Sequence, residues 1–214
     1  MLRDITSNDL FTVLLVVGLI FIAIAKVISP KRFDDFIIIL GNSKYLKIYV
    51  KEQKFFDKFD ALLFINLIIS STVFSFLIYD VTIQSIEPSA NMLFKLTVGI
   101  GVFILIKVLF ERLLGSLFEV DKIIDDYLFQ KITYKNYLGV LLLPINALLL
   151  FCFAPSLRIV YLIIILLLLI NIIGAITSFK AYQSLVKRNL FYFILYLCTL
   201  EIAPYIILYK VFNA

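Results

Sequence analysis

The chain has 214 residues, of which 63% are hydrophobic and 16% are charged, and its formal net charge is +5. Soluble domains are closer to half apolar and a quarter charged, so this composition excludes an ordinary soluble domain. Histidine is absent and there are only two cysteines, which excludes histidine-based acid–base catalysis and a recognisable zinc site. The composition predicts an all-α, polytopic membrane helix bundle that forms one integral membrane domain over residues 1–214, and we expect no cofactor.

Six apolar stretches are long enough to cross the hydrocarbon core of a bilayer, which takes about 20 helical residues. The predicted membrane spans are residues 10–28, 59–79, 93–114, 134–153, 157–178 and 190–212. Basic residues follow the first stretch at Lys26, Lys31 and Arg32, whereas a cleaved signal peptide carries its positive charge in front. We therefore expect the first stretch to be retained as a transmembrane helix.

Basic residues also indicate the orientation of the bundle. The connections after the first, third and fifth predicted spans, with their flanks, carry eight, four and three of the 20 lysines and arginines. By the positive-inside rule these connections are cytoplasmic. Both termini are therefore predicted to lie outside, in the periplasm.

The first cytoplasmic connection, residues 31–58, is predicted to form amphipathic helices. Phe33, Phe36, Ile37 and Leu40 recur at helical spacing and indicate a short first helix. A second helix is predicted from Ser43. Its lysines recur every three or four residues and so fall on one face, which we call the lysine stripe: Lys44, Lys47, Lys51, Lys54 and Lys58.

Three interpretations of the lysine stripe are open. The favoured one is a helix at the membrane surface, with its ammonium groups at anionic lipid headgroups and its neighbouring rings, such as those of Tyr45, Tyr49 and Phe59, in the acyl boundary. The second is a docking surface for an acidic partner. The third is a charged helix that is merely solvated.

A second cytoplasmic amphipathic segment is predicted at residues 117–131. It could extend the third span into the cytoplasm, and its carboxylates could pair with the lysine stripe. Asp121, Asp125 and Asp126 also raise the question of a metal site, but adjacent carboxylates without a third ligand at helical spacing are weak evidence for one. A solvated acidic face is favoured.

Polar residues within the predicted spans are candidates for function, because an ionisable group in hydrocarbon is costly unless it is paired or wetted. At about 1.5 Å per residue, these polar residues fall at two levels below the predicted outer boundary. Lys107, Asn171 and Asn66 lie about 8 Å deeper than Glu201 and Asn146. Lys107 has Glu111 four residues later as a local partner, whereas Glu201 has no such neighbour and has either a transport or a structural role. The candidate polar path consists of Glu201, Lys107, Asn146, Asn171 and Asn66.

The stretch from Lys26 to Phe36, KVISPKRFDDF, follows the first span. In this stretch, in its length and in the predicted outward N-terminus, the chain resembles a family of uncharacterised polytopic inner-membrane proteins of the Bacteroidota, which is classed as a domain of unknown function. The resemblance covers nearly the whole chain. It implies a multi-pass protein of the bacterial inner membrane and implies no activity.

Three functions follow as hypotheses. The favoured one is a non-enzymatic inner-membrane subunit or scaffold whose basic cytoplasmic face docks anionic membrane lipids or a membrane-protein partner, and no nucleic acid. The alternative is a small transporter or ion-conducting protein that uses the candidate polar path. The third is a lipid-modifying enzyme, which would need Asp121, Asp125 and Asp126 to hold Mg²⁺, although no catalytic motif surrounds them.

Overall fold

The computed structural model describes residues 9–41, 44–50, 57–82, 88–117, 121–153 and 155–181. In these ranges the chain is all-helical and contains no strand, which confirms that the fold is all-α. The helices of the described ranges are, in chain order, α1 (Asp9–Ile28), α2 (Pro30–Ile37), α3 (Lys44–Tyr49), α4 (Lys58–Thr82), α5 (Ala90–Leu117), α6 (Asp121–Phe151) and α7 (Leu157–Ala181).

Five of the described helices are long and apolar enough to cross a membrane. They are α1, α4, α5, the part of α6 from Ile124 to Phe151 and the part of α7 from Leu157 to Thr177. Each coincides over most of its length with one of the first five stretches predicted from the sequence. The sixth predicted stretch, residues 190–212, lies outside the described residues.

The centre of the described bundle is formed by α4 and α6. In their apolar stretches 56% and 50% of the residues are buried, compared with 22%, 17% and 22% in α1, α5 and α7. Helix α4 packs against α1, α5 and α6, and α6 also packs against α5 and α7. The outer faces of α1, α5 and α7 are apolar, as is typical of helices surrounded by lipid.

Helices α4 and α6 run parallel and cross closely. The side-chain amides of Asn136 and Asn146 on α6 donate to the backbone carbonyls of Asp60 and Ser70 on α4, so the partners advance by the same number of residues along both helices. Between these contacts lies Gly139, where an added Cβ would be 2.6 Å from the Cα of Leu67. Only a glycine fits there, because any larger residue would bring its Cβ into the backbone of α4. Small residues of this kind allow the close backbone approach on which packing between membrane helices depends.

Helices α2 and α3 fold against the end of the bundle where α1 ends and α4 begins, which we call the α2 end. Pro30 occupies the start of α2, the position that a helix tolerates for proline. Phe36 and Tyr45 are buried, and their ring centroids lie 5.8 Å apart. Phe36 also contacts the rings of Phe59 on α4 and Tyr137 on α6, at 5.9 and 5.8 Å between centroids. The segment is therefore anchored by an aromatic core.

Two expectations about this segment need correction. Tyr45 was expected to enter the acyl boundary, but it is only 1% exposed because the rings of Phe36 and Phe129 cover it. Phe59 was expected at the same boundary, but it too is 1% exposed because the ring of Phe36 packs against it. Ile37 and Leu40, which share the predicted apolar repeat with Phe33 and Phe36, are 41% and 39% exposed. The helical repeat identifies an amphipathic segment without identifying what covers each side of it.

Residues 121–131 of the second predicted amphipathic segment belong to α6, whereas Leu117 is the last residue of α5. Helix α5 ends at Leu117, and α6 begins at Asp121 and continues without interruption through the fourth apolar stretch. The end of α5 lies against the start of α6, since a Cβ added at Gly115 would be 2.9 Å from the Cβ of Ile124. Leu128 and Phe129 are buried, so these turns of α6 are held by packing.

The crossing of α4 and α6 leads to a test with a matched control. Gly139→Ala places a methyl group against the backbone of α4, and we expect it to lower the free energy of unfolding by about 1–3 kcal/mol, although alanine favours helices. A Cβ at Gly99 in α5 meets no atom within 4 Å, so Gly99→Ala should leave stability unchanged or raise it. Thermal unfolding in detergent measures both. Equal effects of the two substitutions would contradict the close crossing.

Candidate functional site

The most highly connected polar side chain at the α2 end is Arg32. Its Nη2 donates to Oδ2 of Asp60 at 2.7 Å, its Nη1 donates to Oδ2 of Asp57, and its Nε donates to the hydroxyl of Tyr45 at 3.0 Å. These partners come from α3 and from the start of α4. The guanidinium therefore joins α2, α3 and α4 through one planar group, which a lysine could not reproduce.

Three aromatic rings surround the same guanidinium. Its central carbon lies 4.6 Å from the ring centroid of Phe59, 5.2 Å from that of Tyr49 and 5.9 Å from that of Tyr45. Distances below about 6 Å allow cation–π attraction, which strengthens when water is excluded. We call the set of Arg32, Tyr45, Tyr49, Asp57, Phe59 and Asp60 the arginine cluster.

The surroundings of Arg32 keep it charged. Burial opposes the charged form, but the Asp60 carboxylate, the Tyr45 hydroxyl and the hydrogen bond to Asp57 outweigh it and raise the pKa of Arg32 above its usual value. Burial, followed by the charge of Asp60, also raises the pKa of Tyr45. The Tyr45 hydroxyl therefore stays neutral and accepts the hydrogen bond from Arg32.

Asp57 connects this cluster to the first turn of α4. The backbone N–H of Phe59 donates to Oδ1 of Asp57 at 3.1 Å, and the N–H of Ala61 donates to the carbonyl of Asp57 at 3.0 Å. Carboxylates are favoured at a helix N-terminus, where N–H groups lack partners within the helix. The residues that bind Arg32 therefore also stabilise the start of the second long helix.

Asn136 extends the cluster to α6. Its Nδ2 donates to the backbone carbonyl of Asp60 at 3.3 Å, and the side chain is fully buried. Within the part of the chain that the structure describes, Oδ1 of Asp60 and Oδ1 of Asn136 accept no hydrogen bond. The cluster thus retains two unused buried acceptors.

Two further ion pairs join α5 to α6. Nζ of Lys131 lies 2.6 Å from Oε1 of Glu111, and the Glu111 side chain is fully buried. The pair of Arg112 and Asp125 is longer, at 3.4 Å, and is about two-fifths exposed. Asp125 therefore pairs with α5. Its pairing with the lysine stripe stays a prediction, because four of the five stripe side chains are not among the described ones. Because exposed pairs contribute little, the buried pair of Glu111 and Lys131 is the more important contact.

Of the candidate polar path, Asn66 and Asn146 are brought together. Both are fully buried, and Ser70 connects them. Asn146 Nδ2 donates to the carbonyl of Ser70 at 2.8 Å, and the hydroxyl of Ser70 donates to Oδ1 of Asn66 at 3.4 Å. Asn146 therefore lies at the level of Ser70, four residues or about 6 Å along α4 from Asn66. This is close to the difference in depth of about 8 Å that the sequence predicts between Asn66 and Asn146.

The other members of that path have different environments. Lys107 is 7% exposed and lies on α5, one turn before Glu111. Asn171 lies on an exposed face of α7, and the structure does not bring it to Asn66 and Asn146. Glu201 lies outside the described residues. In the described bundle the path thus consists of two central asparagines, one peripheral buried lysine and one exposed asparagine.

The lysine stripe is described only in part. Lys44 and Lys47 belong to α3, but their side chains are not among the described ones, and Lys51 and Lys54 lie outside the described residues. Lys58 is exposed at the first position of α4. The structure therefore places one described side chain of the stripe on the surface of the α2 end.

Several residues of the site were missed by sequence reasoning. Arg32 was counted only as a positive charge, and Asp57, Asp60 and Asn136 were not singled out. One local signal was available, since two aspartates at the start of an apolar run resemble a helix N-terminus. Nothing local indicated that Arg32 would be their partner.

The geometry and the comparisons with known proteins define the class of protein. Among the described residues, no three His, Cys, Asp or Glu side chains form a group that could hold a metal ion. Five helices apolar enough to cross a membrane are consistent with a multi-pass membrane protein. A family model described as Domain of unknown function (DUF4271) matches residues 11–212, so the chain belongs to that family. No curated protein and no solved structure gives a significant match.

Replacing Arg32 tests the arginine cluster. We expect Arg32→Gln to lower the free energy of unfolding by about 3 kcal/mol, because it leaves two largely buried carboxylates without their cation. Arg32→Lys should recover only part of this loss, because lysine lacks the planar fork. The measurement is unfolding in detergent, together with protease cleavage of the segment at residues 31–58.

The matched control is Lys31→Gln, which removes a neighbouring positive charge that is exposed on the same helix. Surface substitutions of this kind usually change stability by less than about 0.5 kcal/mol. Similar losses for Arg32→Gln and Lys31→Gln would show that the cluster does not hold the segment.

Proposed function

We propose that the protein is a non-enzymatic subunit or scaffold of the bacterial inner membrane. Its α2 end, with the lysine stripe, would face the cytoplasm and dock anionic lipid headgroups or a membrane-protein partner. In this proposal both termini lie outside, in the periplasm, as the distribution of basic residues indicates.

The observation that carries the proposal is the arginine cluster. It joins α2, α3 and the start of α4, so the described part of the basic segment between the first two long helices is held against the bundle. A surface that is ordered before binding loses less conformational entropy when it binds. A rigid basic end therefore suits a docking role better than a flexible loop of the same charge.

The packing of α3 supports the same proposal. Tyr45 and Leu46 are 1% and 2% exposed and face the aromatic core. At about 100° per residue, positions 44 and 47 fall on the opposite face of the helix. The first two positions of the lysine stripe are therefore on the side of α3 that turns away from the bundle.

Purification in mild detergent tests this function. We expect bound anionic phospholipid or a reproducible protein partner, identified by mass spectrometry. Replacing the five lysines of the stripe by glutamine should reduce its amount about tenfold, because each lysine near an anionic surface contributes about 1 kcal/mol and some of these contributions overlap.

A matched control removes basic residues at the other end of the bundle, where Lys95 and Arg158 are exposed. The variant Lys95→Gln/Arg158→Gln should retain what the wild-type protein binds. Equal retention by the stripe variant, or a wild-type protein that carries neither lipid nor partner, would contradict the docking role.

A second candidate function is transport along the candidate polar path. It is favoured by the connected residues Asn66, Ser70 and Asn146, which we call the asparagine layer. Asn66 Nδ2 and Asn146 Oδ1 are buried and have no hydrogen-bond partner in the described part of the chain. Pro144, two residues before Asn146, lacks the N–H that would bind a carbonyl one turn earlier in α6. Unused polar groups at the centre of a membrane bundle are features that transport proteins employ.

Flux measurements in reconstituted vesicles test this second candidate. We expect proton flux above that of empty vesicles, a loss of at least about tenfold in Asn146→Leu, and a similar loss in Glu201→Gln. Asn171→Leu is the matched control, since Asn171 is exposed, and its flux should be unchanged. A folded Asn146→Leu variant with unchanged flux would eliminate the asparagine layer from the path.

A further inference from the structure

The place where α1 ends and α2 turns alongside the bundle lies at a level that lipid can reach. Phe36 of α2 contacts Tyr137, which is about 21 Å along α6 from Phe151. This is less than the about 30 Å thickness of the hydrocarbon core. Phe36 also contacts Phe59, in the first turn of the apolar helix α4. Helix α2 therefore lies beside the apolar ends of the bundle and not beyond them in water.

The side of α2 that faces away from the bundle is apolar. Ile37 and Ile38 are 41% and 60% exposed, and Val27 and Ile28 at the end of α1 are 79% and 49% exposed. Val27 and Ile28 continue a row of exposed apolar residues along α1: Val13, Val16, Ile20 and Ile24. Exposed apolar side chains are therefore present both on the last turn of α1 and at the end of α2.

A positive charge lies at this edge. Nζ of Lys26 is 5.8 Å from the ring centroid of Phe33, and Ile37 follows Phe33 by one helical turn. Among the described residues, no carboxylate forms an ion pair with Lys26. An ammonium group over the ring of Phe33, one helical turn from the exposed Ile37, has the combination of charge and apolar surface found at the headgroup level of a membrane.

We propose that this edge, formed by Lys26, Val27, Phe33, Ile37 and Ile38 and called the α1–α2 corner, binds an anionic phospholipid of the surrounding leaflet. The phosphate lies at the ammonium of Lys26, and an acyl chain lies along Val27 and the two isoleucines. Charge complementarity selects an anionic headgroup over a zwitterionic one. The corner is a different surface from the lysine stripe, and its lipid does not depend on docking by the stripe.

A fluorescent label at position 38 tests the proposal in the full-length protein. The label is attached to Ile38→Cys after Cys152→Ser and Cys198→Ser, and the protein is reconstituted in mixed phosphatidylglycerol and phosphatidylcholine. Bromine on the acyl chains of one lipid at a time quenches the label by contact. We expect brominated phosphatidylglycerol to quench about fivefold more than brominated phosphatidylcholine at equal amounts, from the attraction of one lysine to anionic lipid.

Substitutions identify the charge that selects the lipid. Lys26→Gln should abolish the preference for phosphatidylglycerol, and Lys26→Arg should retain it, which also shows that the site tolerates substitution. Lys95→Gln, which removes an exposed positive charge at the opposite end of the bundle, should retain the preference. The variant without the five stripe lysines should also retain it, so failure of the docking function and failure of this proposal give different results.

Three outcomes would overturn the proposal. Equal quenching by both lipids in the wild-type protein would show that the corner does not select an anionic lipid. A preference that persists in Lys26→Gln would assign the selection to another charge. A label that neither lipid quenches would show that protein or water covers the corner, and cross-linking through the cysteine at position 38 would then distinguish a second copy from solvent.

Discussion

The arrangement of the α2 end depends on one buried cation, the guanidinium of Arg32. A buried charge is costly unless it is paired and hydrogen-bonded, and Arg32 obtains its partners from Asp57, Asp60 and Tyr45. The two aspartates lie at the start of α4, where carboxylates also favour the helix N-terminus. One set of contacts therefore satisfies the cation, begins the second long helix and holds the preceding segment against the bundle.

The bundle beneath this cluster is held by two kinds of contact between α4 and α6. Backbones approach closely at Gly139, and the amides of Asn136 and Asn146 bind carbonyls of α4 on either side of that point. Hydrophobic burial contributes little between helices that are already in lipid, so packing and hydrogen bonds determine which faces meet. The same asparagines leave polar atoms unused, which is why the centre of the bundle supports a second candidate function.

The sequence predicted the five long helices of the described residues, because a run of about 20 apolar residues has one stable solution in a bilayer. It also predicted amphipathic helices between the first two spans. It was wrong about the surroundings of Tyr45 and Phe59, which protein covers. It placed Asn66 and Asn146 as polar residues within the spans but did not predict their connection through Ser70. The acidic segment at residues 117–131 was found, but the continuity of residues 121–131 with the fourth apolar stretch was not predicted.

The sequence by itself thus determined the all-helical fold, the apolar helices and the concentration of basic residues around alternate connections. Each of these follows from composition or from a short repeat, which are local properties. Only the tertiary structure decided that Arg32 pairs with Asp57 and Asp60, that Glu111 pairs with Lys131, and that two asparagines of α6 reach α4. These partners are distant in the chain, and their pairing depends on the order and rotation of the packed helices, which no local pattern specifies.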